Sequence, residues 1–230
     1  MPEYYARTYD PFVALAACAA ATSTIRLATG ICLVAQRDPI HTAKEVASVD
    51  ALSDGRMIFG IGYGWNEEEM AQHGTEYGER RALLRENILA MKALWSQDEA
   101  SFSGDHVQIE PSWAWPKPTQ QPHPPIVLGG TAGPRTAAHI AEFCDGWMPL
   151  TARGLDQGIG EVRRACDEIE RDFDSIELGL FGAPAEEERL TALAASGIRR
   201  AVLTLPQGSR DDVLAEIDRV APLIEAMRDA

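Results

Sequence analysis

The sequence predicts an α/β fold with parallel strands, and three observations carry that prediction. Short β-rich apolar runs alternate with helical segments along most of the chain. At 230 residues and 45% hydrophobic content, the chain can bury one substantial core, so a single domain over residues 1–230 is expected. Glycines follow two of the strand segments directly, at Gly60-Ile61-Gly62-Tyr63-Gly64 and at Gly129-Gly130, where a β-to-α turn has use for them.

The elements follow in order. Asp10-Pro11-Phe12 to Thr22 reads as a buried helix, with an acidic cap, a proline in the first turn and a run of good helix formers. Ile25 to Val34 is β-rich. Pro39 to Leu52 is helical, with Ala43, Val46, Ala47, Val49 and Leu52 at helical spacing and Gly55 past its end. Arg56 to Gly62 is a strand, and Tyr77 to Trp95 a long amphipathic helix. Ser101 to Val107 reads as a small hairpin turning at Gly104-Asp105. A proline-rich loop from Pro116 to Pro125 leads into the strand Ile126-Val127-Leu128. Then come the helix Pro134 to Phe143, the strand Gly146 to Leu150, the helix Asp156 to Asp172 and the strand Ile176 to Phe181. The helix Ala185 to Ala195, the strand Arg200 to Leu205 and the helix Asp211 to Met227 complete the series. Six strand–helix units thus follow one orphan helix. Right-handed crossovers between parallel strands leave two architectures, a doubly wound sheet or a (β/α) barrel.

Composition narrows the partners. The formal charge is −14 and no basic run tracks a phosphate backbone, so no nucleic acid is expected. Cys18, Cys32, Cys144 and Cys166 are widely spaced in apolar segments and read as buried free thiols of a reducing compartment. His41, His73, His106, His123 and His139 share no ligand spacing, so no metal is expected. No run is long enough for a membrane span, and the Phe12–Ala21 run lacks the basic leader of a signal peptide. A cytoplasmic location is the default expectation.

The glycine turns carry the functional signal. Gly60, Gly62 and Gly64 give GxGxG, but Trp65 stands where a dinucleotide fingerprint needs its third glycine. No Gly-Lys-Ser/Thr makes a Walker loop, and there is no GxSxG elbow. Gly129-Gly130-Thr131 precedes a helix start at Pro134, where amides, a hydroxyl and the helix dipole can hold an anion. Each glycine stretch alone is equally well a plain turn. Two of them, after neighbouring strands, point to one ligand at the C-terminal rim.

The segments "RDPIHTAKEVASVDALSDGRMIFGIGYGWNEEEM", "GERRALLRENILAMKALWSQDEASFSG" and "PKPTQQPHPPIVLGGTAGPRTAAHIAEFCDGWMPL" resemble the bacterial luciferase-like monooxygenase superfamily. The closest likeness is to its branch of oxidoreductases that use the deazaflavin coenzyme F420. The resemblance implies a TIM-type (β/α)8 barrel, usually dimeric, that binds a flavin or deazaflavin at the C-terminal ends of its strands. It also implies that the orphan helix matches the family's second barrel helix. On that reading about six of eight strands are present and the barrel is N-terminally incomplete, and the two exposed parallel edges make association of copies the expectation on physical grounds.

The resemblance assigns cofactor contacts by motif. Gly30 and Ile31 match a bulge where the family has a non-prolyl cis peptide behind the ring. Gly62, Tyr63 and Gly64 match a segment along the cofactor, and Gly129, Gly130 and Thr131 the segment whose N–H groups meet its phosphate. Arg37 lies on the same rim, either as a cofactor contact or as a partner of Asp38 or a surface acid. Trp65 stands about where sugar-phosphate dehydrogenase relatives have a catalytic glutamate. Glu67, Glu68 and Glu69 either substitute for that acid or simply favour a helix dipole. Arg80 and Arg81 either hold a phosphate or glutamyl tail or form a solvated face. The implied function is hydride transfer between coenzyme F420 and a small organic substrate. The alternatives are an FMN-dependent monooxygenase and a non-catalytic shortened flavin-binding homologue.

Overall fold

The structure, a computed structural model, describes residues 8–227. In chain order its elements are α1 (Pro11–Ala21), β1 (Leu27–Ala28), α2 (Pro39–Leu52), β2 (Met57–Ile61), α3 (Glu67–Gln72), α4 (Arg80–Ser96), β3 (Ala100–Ser103) and β4 (Gln108–Ser112). They continue with β5 (Ile126–Gly129), α5 (Pro134–Phe143), β6 (Gly146–Met148), α6 (Leu155–Glu168), β7 (Glu177–Phe181), α7 (Glu187–Ala195), β8 (Arg200–Val202) and α8 (Arg210–Ala226). The hairpin β3–β4 stands apart, and the six-stranded sheet has the order β1-β2-β5-β6-β7-β8. The pairs β1–β2, β2–β5, β6–β7 and β7–β8 are parallel. A doubly wound sheet reverses its strand order at a switch point, and this one never does. The order is therefore that of an incomplete (β/α) barrel, with β1 and β8 as its edges.

The chain divides after Leu128 into two compact units. In the first, β2 is buried at every position, as a strand covered on both faces must be. The Phe59 ring lies 6.3 Å from that of Phe12 and 6.2 Å from that of Trp95, the latter edge-on. The buried Trp95 indole donates to the carbonyl of Ala43 on α2 at 2.9 Å, which ties α4 to α2. Asp50 is buried, and its two oxygens accept from the backbone N–H and side-chain amide of Gln120 at 2.9 and 2.7 Å.

α1 starts as expected, with the Asp10 carboxylate accepting from the N–H groups of Phe12 and Val13. The expectation that α1 is buried needs correction, because only Phe12 and Ala19 are buried and Val13 is 69% exposed. The helix presents its other faces outward, so Cys18 is exposed while Cys32, Cys144 and Cys166 are buried; all four are free thiols. Burial pushes the Cys32 thiol up to about 12.

The segment Ser53-Asp54-Gly55-Arg56 is a joint between α2 and β2. Asp54 and Gly55 adopt positive φ of 54° and 77°, which ends α2 and turns the chain. Arg56 then grips three elements at once. Its Nε donates to the Ser53 carbonyl at 2.7 Å, and its Nη1 to Thr22 Oγ1 and the Ile25 carbonyl at 2.9 and 2.8 Å. Its Nη2 donates to the carbonyls of Ala19 and Thr22 at 3.0 and 2.9 Å. The guanidinium thus caps the C-terminal end of α1.

α4 begins at Arg80, later than the expected Tyr77, and α3 occupies part of the stretch before it. The Glu86 side chain of α4 is buried and serves the β3–β4 turn. Its carboxylate accepts from the N–H groups of Asp105, His106 and Val107 at 3.0, 2.8 and 2.9 Å. Burial alone would raise its pKa, but these three donors prevail and hold it below the ordinary carboxylate range. A lowered pKa means the stabilisation is present above the unfolded value, about 4.3, and is lost as pH falls through the folded value. Glu86→Gln is expected to cost about 2 kcal/mol at neutral pH and to flatten this acid loss. Urea unfolding of both forms between neutral and acid pH measures the two effects.

In the second unit, Phe143, Cys144 and Trp147 are at most 1% exposed. Arg171 donates to the carbonyls of Ile140 and Ala141 at 3.4 and 2.8 Å, which caps α5. α6 stops at Glu168, short of the expected Asp172, because Glu170 takes a φ of 56° and Asp172 caps a separate short turn at Phe173–Ser175. Glu177 and Arg200 form an ion pair between β7 and β8.

Candidate functional site

In the first unit, β1 and β2 end in a bulge. Leu27 and Ala28 pair with Met57 and Ile58, and the next bridge joins Cys32 to Ile61. Four steps along one strand face three along the other, so β1 carries one extra residue. This is why the expected strand Ile25 to Val34 pairs over so short a run. The Gly60 carbonyl accepts from both Thr29 Oγ1 at 2.7 Å and the Cys32 N–H at 2.8 Å. A Cβ on Gly60 would lie 2.1 Å from the Thr29 carbonyl oxygen, so the bulge closes only over glycine.

The expected bulge is present, but the expected cis peptide is not. Among the described residues, the cis bonds are Trp115–Pro116 and Gln121–Pro122, and Gly30–Ile31 is trans. The extra residue is taken up by the bulge itself, which leaves Gly30 exposed and Ile31 43% exposed. The Ile31 side chain lies over Gly62, where a Cβ would meet its Cγ2 at 2.9 Å.

The chain then runs along the rim. Gly64 has a φ of 77°, and the half-buried Tyr63 has the Arg81 guanidinium 4.1 Å from its ring centroid. Arg80 sits in the same way, 3.5 Å from the ring centroid of Tyr77. Trp65 is 65% exposed. Asn66 caps α3 by accepting from the Glu69 N–H at 3.2 Å, and Glu67, Glu68 and Glu69 fill its first turn. Glu67 and Glu68 are exposed and Glu69 is half-buried. All three stand where the helix dipole favours a carboxylate.

Arg37 is engaged with neither the rim glycines nor Asp38. It pairs with Asp10 at 3.3 Å and Glu45 at 2.9 Å, and its guanidinium lies 5.1 Å from the Phe12 ring centroid. Burial works against its charge, but the Glu45 hydrogen bond and neighbouring acids outweigh that and hold its pKa above the ordinary value. It fastens α1 to α2.

In the second unit, Gly129 ends β5 and Gly130 turns the chain with a φ of 105°. The position a Cβ would take on Gly130 faces open space, with nothing within 4 Å. Thr131 is exposed, and Gly133 caps α5, whose first residue is Pro134. The Trp147 indole N–H donates to the Gly130 carbonyl at 2.8 Å. Sequence reasoning missed Trp147. The signal was an indole in a buried strand, whose N–H must find an acceptor.

Among the described residues, no cluster of three His, Cys, Asp or Glu side chains is arranged to hold a metal ion. No described helix is long and apolar enough to cross a membrane.

The strand order and its alternation with helices define the class of incomplete (β/α) barrels. More specifically, the chain belongs to the luciferase-like monooxygenase family, whose model matches residues 1–216. It is 41% identical over 221 residues to the uncharacterized protein Rv0953c of Mycobacterium tuberculosis, covering 94% of this chain and 77% of that one. It is 30% identical over 172 residues to an F420-dependent glucose-6-phosphate dehydrogenase of Gordonia bronchialis, covering 71% of this chain and 50% of that one. An FMNH(2)-dependent dimethylsulfone monooxygenase of Pseudomonas putida is 34% identical over 150 residues, covering 63% of this chain and 40% of that one. Among solved structures, the monooxygenase RslO1 of Streptomyces bottropensis matches with a TM-score of 0.66 and 25% identity, covering 96% of this chain and 72% of that one.

Proposed function

We propose that this chain is an oxidoreductase that moves a hydride between coenzyme F420 and a small organic substrate. The observation that carries the reading is the Gly129-Gly130-Thr131 turn. Its central glycine opens onto free space at positive φ, and the Thr131 N–H has no protein acceptor among the described residues. Such a turn before a helix N-terminus suits a phosphate. When bound, the deazaflavin supplies the hydride chemistry.

The chain's own residues then bind, orient and exclude water. In the first unit, Gly30, Ile31, Gly62, Tyr63 and Gly64 are assigned to the ring, with Ile31 and Tyr63 as its walls. In the second, Gly129, Gly130 and Thr131 are assigned to the phosphate. Trp65, by its exposure, is assigned to the substrate side. Glu67 and Glu69 lie in the first turn of α3, which follows Trp65, and stand as candidates for the proton. Two copies of the chain are expected to associate in solution, and a monodisperse monomer by light scattering would count against that part.

The second reading is an FMN-dependent monooxygenase, favoured by the likeness to the Pseudomonas putida enzyme. Both readings need the phosphate turn. Gly130→Val places a β-branched side chain at a φ of 105°, which forces the turn to move. Fluorescence titration with F420 is expected to show at least tenfold weaker binding than the native chain. Unchanged affinity removes the turn from the site.

A further inference from the structure

We infer that Trp147 is the positioning residue of the phosphate turn: its indole N–H holds the Gly130 carbonyl inward and thereby aims the Thr131 N–H outward. The inference rests on the proposed role of that turn. In a trans peptide, the carbonyl and the following N–H point in opposite directions. The Gly130 carbonyl points at the Trp147 indole at 2.8 Å, so the amide of the same peptide unit points away from it. That amide belongs to Thr131, which is exposed and has no protein acceptor among the described residues.

The indole is itself fixed. Trp147 is 1% exposed and lies on β6, the strand after β5 in the chain's parallel series. On its far edge it packs on α6, where a Cβ on Gly158 would meet ring atoms at 2.3, 3.0 and 3.3 Å. A rigid bicyclic ring cannot move aside as a flexible side chain can. The series therefore runs from the Gly158 backbone through the ring to the Gly130 carbonyl. The Gly130 φ of 105° requires glycine and is held without any side chain of its own. An external hydrogen bond to its carbonyl is the means of keeping that turn in one conformation. A donor amide held in place before binding spares the ligand the cost of ordering it.

Trp147→Phe removes the N–H and keeps a buried aromatic ring, though one shorter than the indole that reaches Gly158. The readout is the ratio of affinities for phosphate-bearing F420 and for its phosphate-free counterpart, the dephosphorylated chromophore alcohol. The native chain is expected to prefer the phosphorylated member. In the variant that preference falls about tenfold, while affinity for the phosphate-free member stays within twofold. Equal losses for both members, or an unchanged preference, overturn the inference. A second readout needs no ligand. The Thr131 amide resonance of the free protein is expected to shift and exchange broaden in the variant, and an unmoved resonance overturns the positioning role even where the proposed cofactor fails to bind. Should Trp147→Phe not fold, a benzothienyl amino acid at position 147 keeps the bicyclic shape without the N–H, and the same two outcomes apply.

Discussion

Gly60→Ala is expected to destabilise the chain by about 3 kcal/mol and to weaken any ligand held by the rim glycines of the first unit. The added Cβ would lie 2.1 Å from the Thr29 carbonyl oxygen and 3.2 Å from that of Gly30. Both are backbone atoms, so relief requires β1 and β2 to part. Parting them breaks the two hydrogen bonds that the Gly60 carbonyl accepts, from Thr29 Oγ1 and from the Cys32 N–H. Those bonds close the bulge that exposes Gly30 and Ile31. Chemical denaturation gives the stability change. A stability within 0.5 kcal/mol of the native chain, the ordinary range for a neutral surface substitution, would show that the bulge is looser than this packing implies.

Arg56→Ala should have an effect of similar size, about 3 kcal/mol, from a different cause. One guanidinium serves Ser53, Ala19, Thr22 and Ile25, so its loss releases the end of α1, the start of β1 and the end of α2 together. Arg56→Lys is expected to recover only part of the loss, because a single ammonium cannot present the planar fork to all of these acceptors. Hydrogen exchange should show α1 opening more readily in both variants than in the native chain. Full stability in Arg56→Ala would mean that water replaces the guanidinium at no cost.

The sequence made the order of elements legible because each βα unit carries its own signals. Proline and aspartate mark the starts of α1 and α2, and the apolar run of β2 marks a strand buried on both faces. The β-rich run from Ile25 to Val34 could not show that β1 pairs for only two residues; the bulge at Gly30 and Ile31 was expected from the family resemblance alone, because no local signal reveals the close neighbour of Gly60. The start of α3 was legible in the carboxylates at Glu67 to Glu69, but its end at Gln72 and the later start of α4 were not.

At the candidate site, the glycines were legible because positive φ and close approach demand them. The partners that give those glycines meaning were not. Trp147 lies 17 residues from the carbonyl it holds, and no local pattern links the two. Arg37 shows the same limit. A basic residue after a rim strand reads equally as a ligand contact or as the partner of a surface acid, and which acids it pairs with, Asp10 and Glu45, depends on α1 lying against α2.

The most direct test of the proposed function is titration of the purified chain with F420 and, separately, with FMN, followed by fluorescence. The account predicts saturable quenching with F420 at one equivalent per chain and none with FMN. Binding of FMN alone, or of neither, would contradict it.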